Sequence, residues 1–270
     1  MSLTAGYFRK MKKVVITIPI YKEKIDKIEE ISLKQALNKL SKHPFVFFAP
    51  NSLDVTGYEV LCKGKVNYKF ERFDDEYFTG IPGYNKLMLN QNFYKRFLDY
   101  KYILIYQLDA FVFNDDLEYW CDRNFDYIGA PYIFVDLNNY PIKVLTKYRK
   151  LLDIFKKLRI PFYEYKHLGN GGFSLRNVKS TIKLLRICKK SVSTWNYLME
   201  DSFFQYWGNV LFPLYKLPTE IEAAKFSIEL DPAKTFELIG RKLPFGCHAF
   251  MRYEPEFWKP YILKDGHKID

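Results

Sequence analysis

The chain has 270 residues, enough to bury a real core within a single α/β domain over 1–270, and no segment is apolar for long enough to cross a membrane. Its 42 Lys and Arg against 31 Asp and Glu leave a formal charge of +11, which points to an anionic partner without deciding between nucleic acid, a phosphorylated ligand and a membrane surface. Cys62, Cys121, Cys188 and Cys247 lie far apart with no CxxC pair, so neither a zinc knuckle nor a disulfide framework is indicated and a reducing compartment is the default.

The start is basic (Arg9, Lys10, Lys12, Lys13) and then apolar (VVITIPIY), a pattern like that of a signal peptide. The apolar part is short, closes on Pro19 and Lys22 and lacks a small-residue cleavage site, so 14–18 reads as a first buried strand. Pro19, Tyr21 and Lys22 then fall in the loop at that strand's carboxyl edge, where ligands of open α/β sheets sit. Apolar residues at helical spacing (Ile25, Ile28, Ile31, Leu37, Leu40) predict an amphipathic helix over 25–40, followed by a strand at 45–48 and a short strand at 66–70. The stretch 79–86 is punctuated by Gly80, Pro82 and Gly83 and reads as a loop feeding a helix that carries Leu87, Leu89, Phe93 and Phe97. A helix start bearing Asn85 and Lys86 offers amide hydrogens and a cation to a phosphate, although Lys86 reads equally well as a solvated first-turn residue.

The central stretch is YKYILIYQLDAFVFND, 100–115. Its nearly continuous apolar run suits a strand buried on both faces of a parallel sheet, and it ends on Asp109, a candidate ligand for a sugar hydroxyl, a ribose or a metal. A strand is expected at 125–128. The basic amphipathic stretch 143–159 fits either a helix packed on the sheet or a peripheral contact with an anionic membrane. In LGNGGFSLR, 168–176, glycines crowded around Asn170, including Gly171 and Gly172, imply close backbone approach to something, before a strand at 173–175 and a helix at 178–187. Glu200 and Asp201 open an aromatic helix, either as ordinary N-terminal charges or as a catalytic base. His248, in PFGCHAF, has the setting of an ordinary satisfied histidine.

Taken together, YQLDAFVF, GNGGFSLR, the Glu-Asp pair and PFGCHA resemble, in this order, the bacterial family defined by the uncharacterised domain DUF5672, and more broadly the nucleotide-sugar glycosyltransferases of the GT-A type. The segment 84–120 is also similar to the family-eight transferases, with their Leu-Asp-Ala-Asp motif. The resemblance implies a GT-A-like, Rossmann-like, mostly parallel sheet flanked by helices. In such enzymes an Asp-x-Asp motif holds the donor and a divalent ion (Mn or Mg), and a later histidine completes the metal shell. A glycine-rich loop lines the acceptor side, and an acid of a Glu-Asp pair is the base in inverting members. Carried over by position, Asp109 matches the first acid, with Phe111 in place of the second. His248 matches the late histidine loosely, and Asn170, Gly171 and Gly172 match the acceptor-side loop. Asp201 matches the base, with Glu200 as the fallback.

The expectation is therefore an inverting glycosyltransferase that uses a nucleotide-sugar donor bound by Pro19, Tyr21, Lys22, Asn85, Lys86 and Asp109. The acceptor is a glycan or a lipid-linked hydroxyl, as in polysaccharide biosynthesis, and the location is cytoplasmic, at the inner face of the membrane if 143–159 docks there. The alternatives are a glycan-binding scaffold that lost catalysis, motivated by Phe111, and a glycoside hydrolase using Asp109 and Asp201. A nucleic-acid-binding protein is disfavoured because the basic residues are spread along the chain.

Overall fold

The computed structural model describes residues 11–134, 154, 157, 166–195 and 199–269. The first four strands are β1 (Lys12–Pro19), β2 (Phe45–Pro50), β3 (Tyr68–Phe73) and β4 (Tyr100–Tyr106). With β6 (Tyr127–Ile128) and β7 (Phe173–Asn177) they form a six-stranded sheet in the order β3-β2-β1-β4-β7-β6. The pairs β3/β2, β2/β1 and β1/β4 are parallel, while β7 runs antiparallel to both of its neighbours. The apolar run of β4 is thus buried as its composition predicts, but one flank is an antiparallel ladder. That reversal matters for the site, because the residues just before β7 arrive at the carboxyl end of β4.

Helix α1 (Lys27–Lys39) begins with a capping box in which Asp26 and Glu29 each accept from the other's backbone amide, and it turns Leu33, Ala36 and Leu37 onto the sheet. Helix α2 (Thr56–Cys62), which the sequence pattern did not announce, follows β2; β3 lies two to three residues later than expected.

The reading of 79–86 as a loop is corrected. A 3-10 turn over Asp75–Phe78 leads directly into α3 (Gly80–Met88), and a break at Leu89 and Asn90 separates it from α4 (Gln91–Lys95). Gly80, at φ +69°, makes the left-handed turn into the helix, and Pro82 sits in the first turn, where its missing N–H costs nothing. Gly83 packs on the backbone of Glu76 and Tyr77 with no room for a Cβ, so these breakers shape a helix rather than prevent one.

A second, three-stranded sheet has the order β5-β9-β8, with β5 (Phe111–Val112), β8 (Ser227–Ile228) and β9 (Gly246–Cys247). The remaining helices are α5 (Leu117–Asp122), α6 (Val178–Ile187), α7 (Lys189–Thr194), α8 (Glu200–Val210), α9 (Glu220–Phe226), α10 (Pro232–Leu238) and α11 (Pro255–Lys264). Among the described residues no helix is long and apolar enough to cross a membrane. The basic stretch 143–159 lies almost entirely outside the described residues.

Candidate active site

Asp109 stands in the turn that follows β4, and buried polar contacts hold that turn in place. The Ser32 hydroxyl donates to the Ala110 carbonyl at 2.6 Å, the Tyr106 hydroxyl to the same carbonyl at 3.1 Å, and the Gln35 amide to the Val112 carbonyl at 2.7 Å. Helix α1 therefore clamps the turn from below, a tertiary effect that no local pattern reveals.

The small sheet then assembles the charged centre. Phe111 pairs with Cys247 across β5 and β9, and Ile228 pairs with Cys247 across β8 and β9, so the residues beside these ladders meet. His248 Nε2 lies 3.0 Å from Asp109 Oδ1, and its Nδ1 lies 3.0 Å from Glu229 Oε1. Burial alone would push His248 down, but the two carboxylates outweigh it and push the imidazole up to about 10. Burial pushes Asp109 up, yet the charged His248 beside it holds the carboxyl below its ordinary range. Glu229 escaped the sequence reading because a lone acid after a two-residue strand carries no signal. Gln107 Oε1 lies 3.2 Å from His248 Nε2, a contact that its place within YQLDAFVF does not signal.

The glycine-rich loop reaches this centre through the antiparallel β7. Gln107 N donates to Gly172 O at 2.8 Å, and a Cβ on Gly172 would collide with His248 and Gln107. One on Gly171 would collide with the Glu200 carboxylate, and one on Gly169 with the Tyr132 ring. The close approach inferred from the glycines is thus, in the first place, an approach of protein to protein. Asn170 holds the turn at φ +60°, with Oδ1 accepting from the amides of Gly172 and Phe173. Gly172→Ala is expected to displace His248 from Asp109 and to lower stability by roughly 1–3 kcal/mol, measured by urea denaturation; unaltered stability would show that the loop yields.

Glu200 and Asp201 are both buried at the start of α8 and face different partners. Glu200 is bound through both oxygens by Arg176, at 2.8 and 3.0 Å, and that guanidinium is itself fully buried. Asp201 accepts from the amides of Asn170, at 2.9 Å, and Ser202. Burial, then the neighbouring Glu200, raises Asp201 to about 6. The fallback acid is therefore committed to an ion pair, while Asp201 is the carboxyl poised near neutrality. Arg176, central to this arrangement, closes GNGGFSLR, where its alternation with apolar residues gives no sign of a buried ion pair.

Alongside, a cavity of about 390 Å³ opens at the carboxyl ends of β1 and β4. Pro19, Tyr21, Lys22 and Asp109 line it together, as predicted, with Glu29, Gln107 and the rings of Tyr58, Tyr77, Phe78 and Tyr84. Asn85 and Lys86 are not brought there. They lie in the second half of α3, not at a helix start, so the amide hydrogens invoked for a phosphate are absent from that spot. Lys86 is exposed and paired with Glu76 at 2.9 Å, and Asn85 Oδ1 accepts from the Glu200 amide at 3.3 Å. Glu200 and Asp201 do not line the cavity; they stand behind the glycine-rich loop.

The divalent ion implied by the resemblance can be tested against these groups. Phe111 is fully buried against Phe113, Phe250 and His267, so no oxygen occupies the position of the second acid. Asp115 is taken by Lys42 and His43, each at 2.9 Å. Among the described residues no group of three or more His, Cys, Asp or Glu is placed to hold a metal ion. Asp109 and His248 do not by themselves make a cage for a hard cation, and the expectation is that they hold any ion jointly with the donor's phosphates, as magnesium sites commonly do.

The family model described as a protein of unknown function, DUF5672, matches residues 67–248. No curated protein is significantly similar in sequence. Among solved structures, mouse xyloside xylosyltransferase 1 is similar at 11% identity, with a TM-score of 0.51 over 87% of this chain and 97% of that one. The mannosyltransferase Ktr4p from S. cerevisiae, solved with GDP, is similar at 9% identity and a TM-score of 0.50, over 81% of this chain and 70% of that one. The glycosyltransferase GlyE of Streptococcus pneumoniae TIGR4 is similar at 13% identity and a TM-score of 0.51, over 93% of this chain and 60% of that one. At such identities the likeness is one of fold.

Proposed function

The chain belongs to the DUF5672 family, and from that membership, its glycosyltransferase-like fold and the cavity beside Asp109 we propose that it is a GT-A-type glycosyltransferase. It moves a sugar from a nucleotide diphosphate donor to a hydroxyl of a glycan or lipid-linked acceptor, with inversion. The observation that carries this reading is the aromatic-walled cavity at the sheet's carboxyl edge, which ends on Asp109 beside His248.

Aromatic rings take the faces of a base, and Asp109 accepts from hydroxyls of the ribose or the sugar. Departure of the diphosphate is favoured by the cations at this end: the His248 imidazolium, and Arg252, whose charge is felt by Asp109. Asp201, which stands behind the glycine-rich loop and not on the donor cavity, takes the proton of an acceptor that approaches from the loop's side as the bond to the anomeric carbon forms. No step is routed through a metal; Asp109 and His248 would hold one only together with the donor's phosphates, where it would offset the charge of the departing diphosphate. Cys62, Cys121, Cys188 and Cys247 are all buried free thiols, which supports a reducing, cytoplasmic location.

The first test is calorimetry with nucleotide sugars. Asp109→Asn is expected to weaken binding by roughly 10- to 100-fold, the loss of a charged hydrogen bond worth about 1.5–3 kcal/mol. Unchanged affinity would place the donor elsewhere. The loss of the second acid at Phe111 favours one other reading, a glycan-binding scaffold of the same fold. Purified protein that binds donor but neither hydrolyses nor transfers it would support that reading over transfer.

A further inference from the structure

The cavity carries a pair of charges that the transfer step does not use. Lys22 Nζ lies 2.7 Å from Glu29 Oε2, and that same oxygen accepts from the Asp26 amide at 3.2 Å. Among the described residues Glu29 Oε1 takes no hydrogen bond, and the Glu29 side chain is only 13% exposed. Both residues line the cavity beside Tyr21 and Tyr58, and the Tyr58 hydroxyl donates to the Lys22 carbonyl at 2.9 Å, which fixes the backbone that carries the ammonium.

With one proton on Asp26 Oδ2 at 2.9 Å and one on Glu29, the ammonium keeps a third for a ligand, so the pair presents, in sequence, one donor, the Glu29 Oε2 already shared with Lys22 and the Asp26 amide, and Glu29 Oε1. The bases differ in how they meet such an edge. Guanine offers O6 as acceptor, then N1–H and the N2 amine as donors, and all three contacts are made. Uracil offers acceptor, donor, acceptor, and its second carbonyl would face a carboxylate oxygen. Cytosine and adenine each put a ring nitrogen lone pair where an N–H is needed. Burying the wrong edge leaves polar groups unpaired, which costs more than the right edge gains.

We propose, resting on the nucleotide-sugar reading above, that Lys22 and Glu29 read the base of the sugar donor and that this base is guanine, so that the substrate is a GDP-sugar. Glu29 has a separate structural duty in the α1 capping box, and glutamine serves that position as well as glutamate. Glu29→Gln therefore tests recognition without removing the cap.

The experiment is titration calorimetry of the full chain with GDP, UDP, CDP and ADP. GDP is expected to bind roughly 10- to 100-fold more tightly than UDP. In Glu29→Gln the edge becomes donor, acceptor, donor, the complement of uracil, so the preference for GDP over UDP should fall by about tenfold or more. A cap or folding defect would weaken both nucleotides alike and leave their ratio unchanged, and that outcome overturns the assignment. UDP binding as tightly as GDP to the unaltered protein also overturns it while leaving the transferase reading in place. Binding of none of the four overturns both.

Discussion

Asp201→Asn is expected to fold, to bind donor as the unaltered protein does, and to transfer sugar at least about 100-fold more slowly, the usual contribution of a positioned general base. The reason lies in how differently the two adjacent acids are held. Glu200 gives both oxygens to Arg176, whereas Asp201, among the described residues, accepts only from the neutral amides of Asn170 and Ser202 and the hydroxyls of Ser202 and Tyr132, and burial and Glu200 raise its carboxyl to about 6. A base in that range is ionised at neutral pH yet basic enough to accept a proton. The rate in the unaltered protein should accordingly fall as the pH drops through about 6, and single-turnover transfer across pH 5 to 8 would show it. Stability moves the other way. Between the ordinary carboxyl value of 3.8 and about 6 the native state binds more protons than the unfolded one, so stability declines as pH rises across that window. At neutral pH the buried charge costs on the order of 3 kcal/mol, which Asp201→Asn removes, while its NH2 faces one of the amides that the carboxylate accepted from. A variant that folds and still turns over normally would remove Asp201 from the mechanism and leave it as a helix N-terminal charge.

The largest stability effect is expected at Arg176. Its guanidinium is fully buried, donates to the Glu200 carboxylate, the Tyr94 hydroxyl, the Ser174 hydroxyl and the Gly171 carbonyl, and lies over the rings of Tyr127 and Phe204. Arg176→Leu leaves Glu200 buried without a countercharge, and a loss of roughly 3–5 kcal/mol is expected. In a chain of this size that lowers the melting temperature by roughly 5–10 °C. Removing the partner as well, in Arg176→Leu/Glu200→Leu, should recover part of the loss, since two apolar groups need no compensation. A single variant that loses less than about 1 kcal/mol would show that Glu200 finds another cation or water.

Much of this architecture is legible in the order of residues. The apolar runs of β1, β2 and β4 and the 3.6-residue spacing of α1 and α6 are consequences of burial and of hydrogen bonds between near neighbours in sequence. The carboxyl-edge rule then places Pro19, Tyr21, Lys22 and Asp109 in one crevice. Punctuation misled at 79–86, because Gly83 serves a close backbone contact and Pro82 a helix start, and both meanings depend on the surroundings.

What the sequence by itself determined was thus the set of buried strands and helices and the edge where a ligand sits. Only the tertiary structure decided which charges meet there. The His248 contact with Asp109 spans 139 positions along the chain and rests on three two-residue strands too short to leave a pattern. The same holds for Glu229 behind that imidazole, for Arg176 on Glu200, and for Asn85, which is turned toward α8 instead of the cavity. Periodicity reports the environment of a residue averaged over its neighbours. A polar contact between distant segments has no such average, and it exists only once the backbone has brought the two groups within about 3 Å.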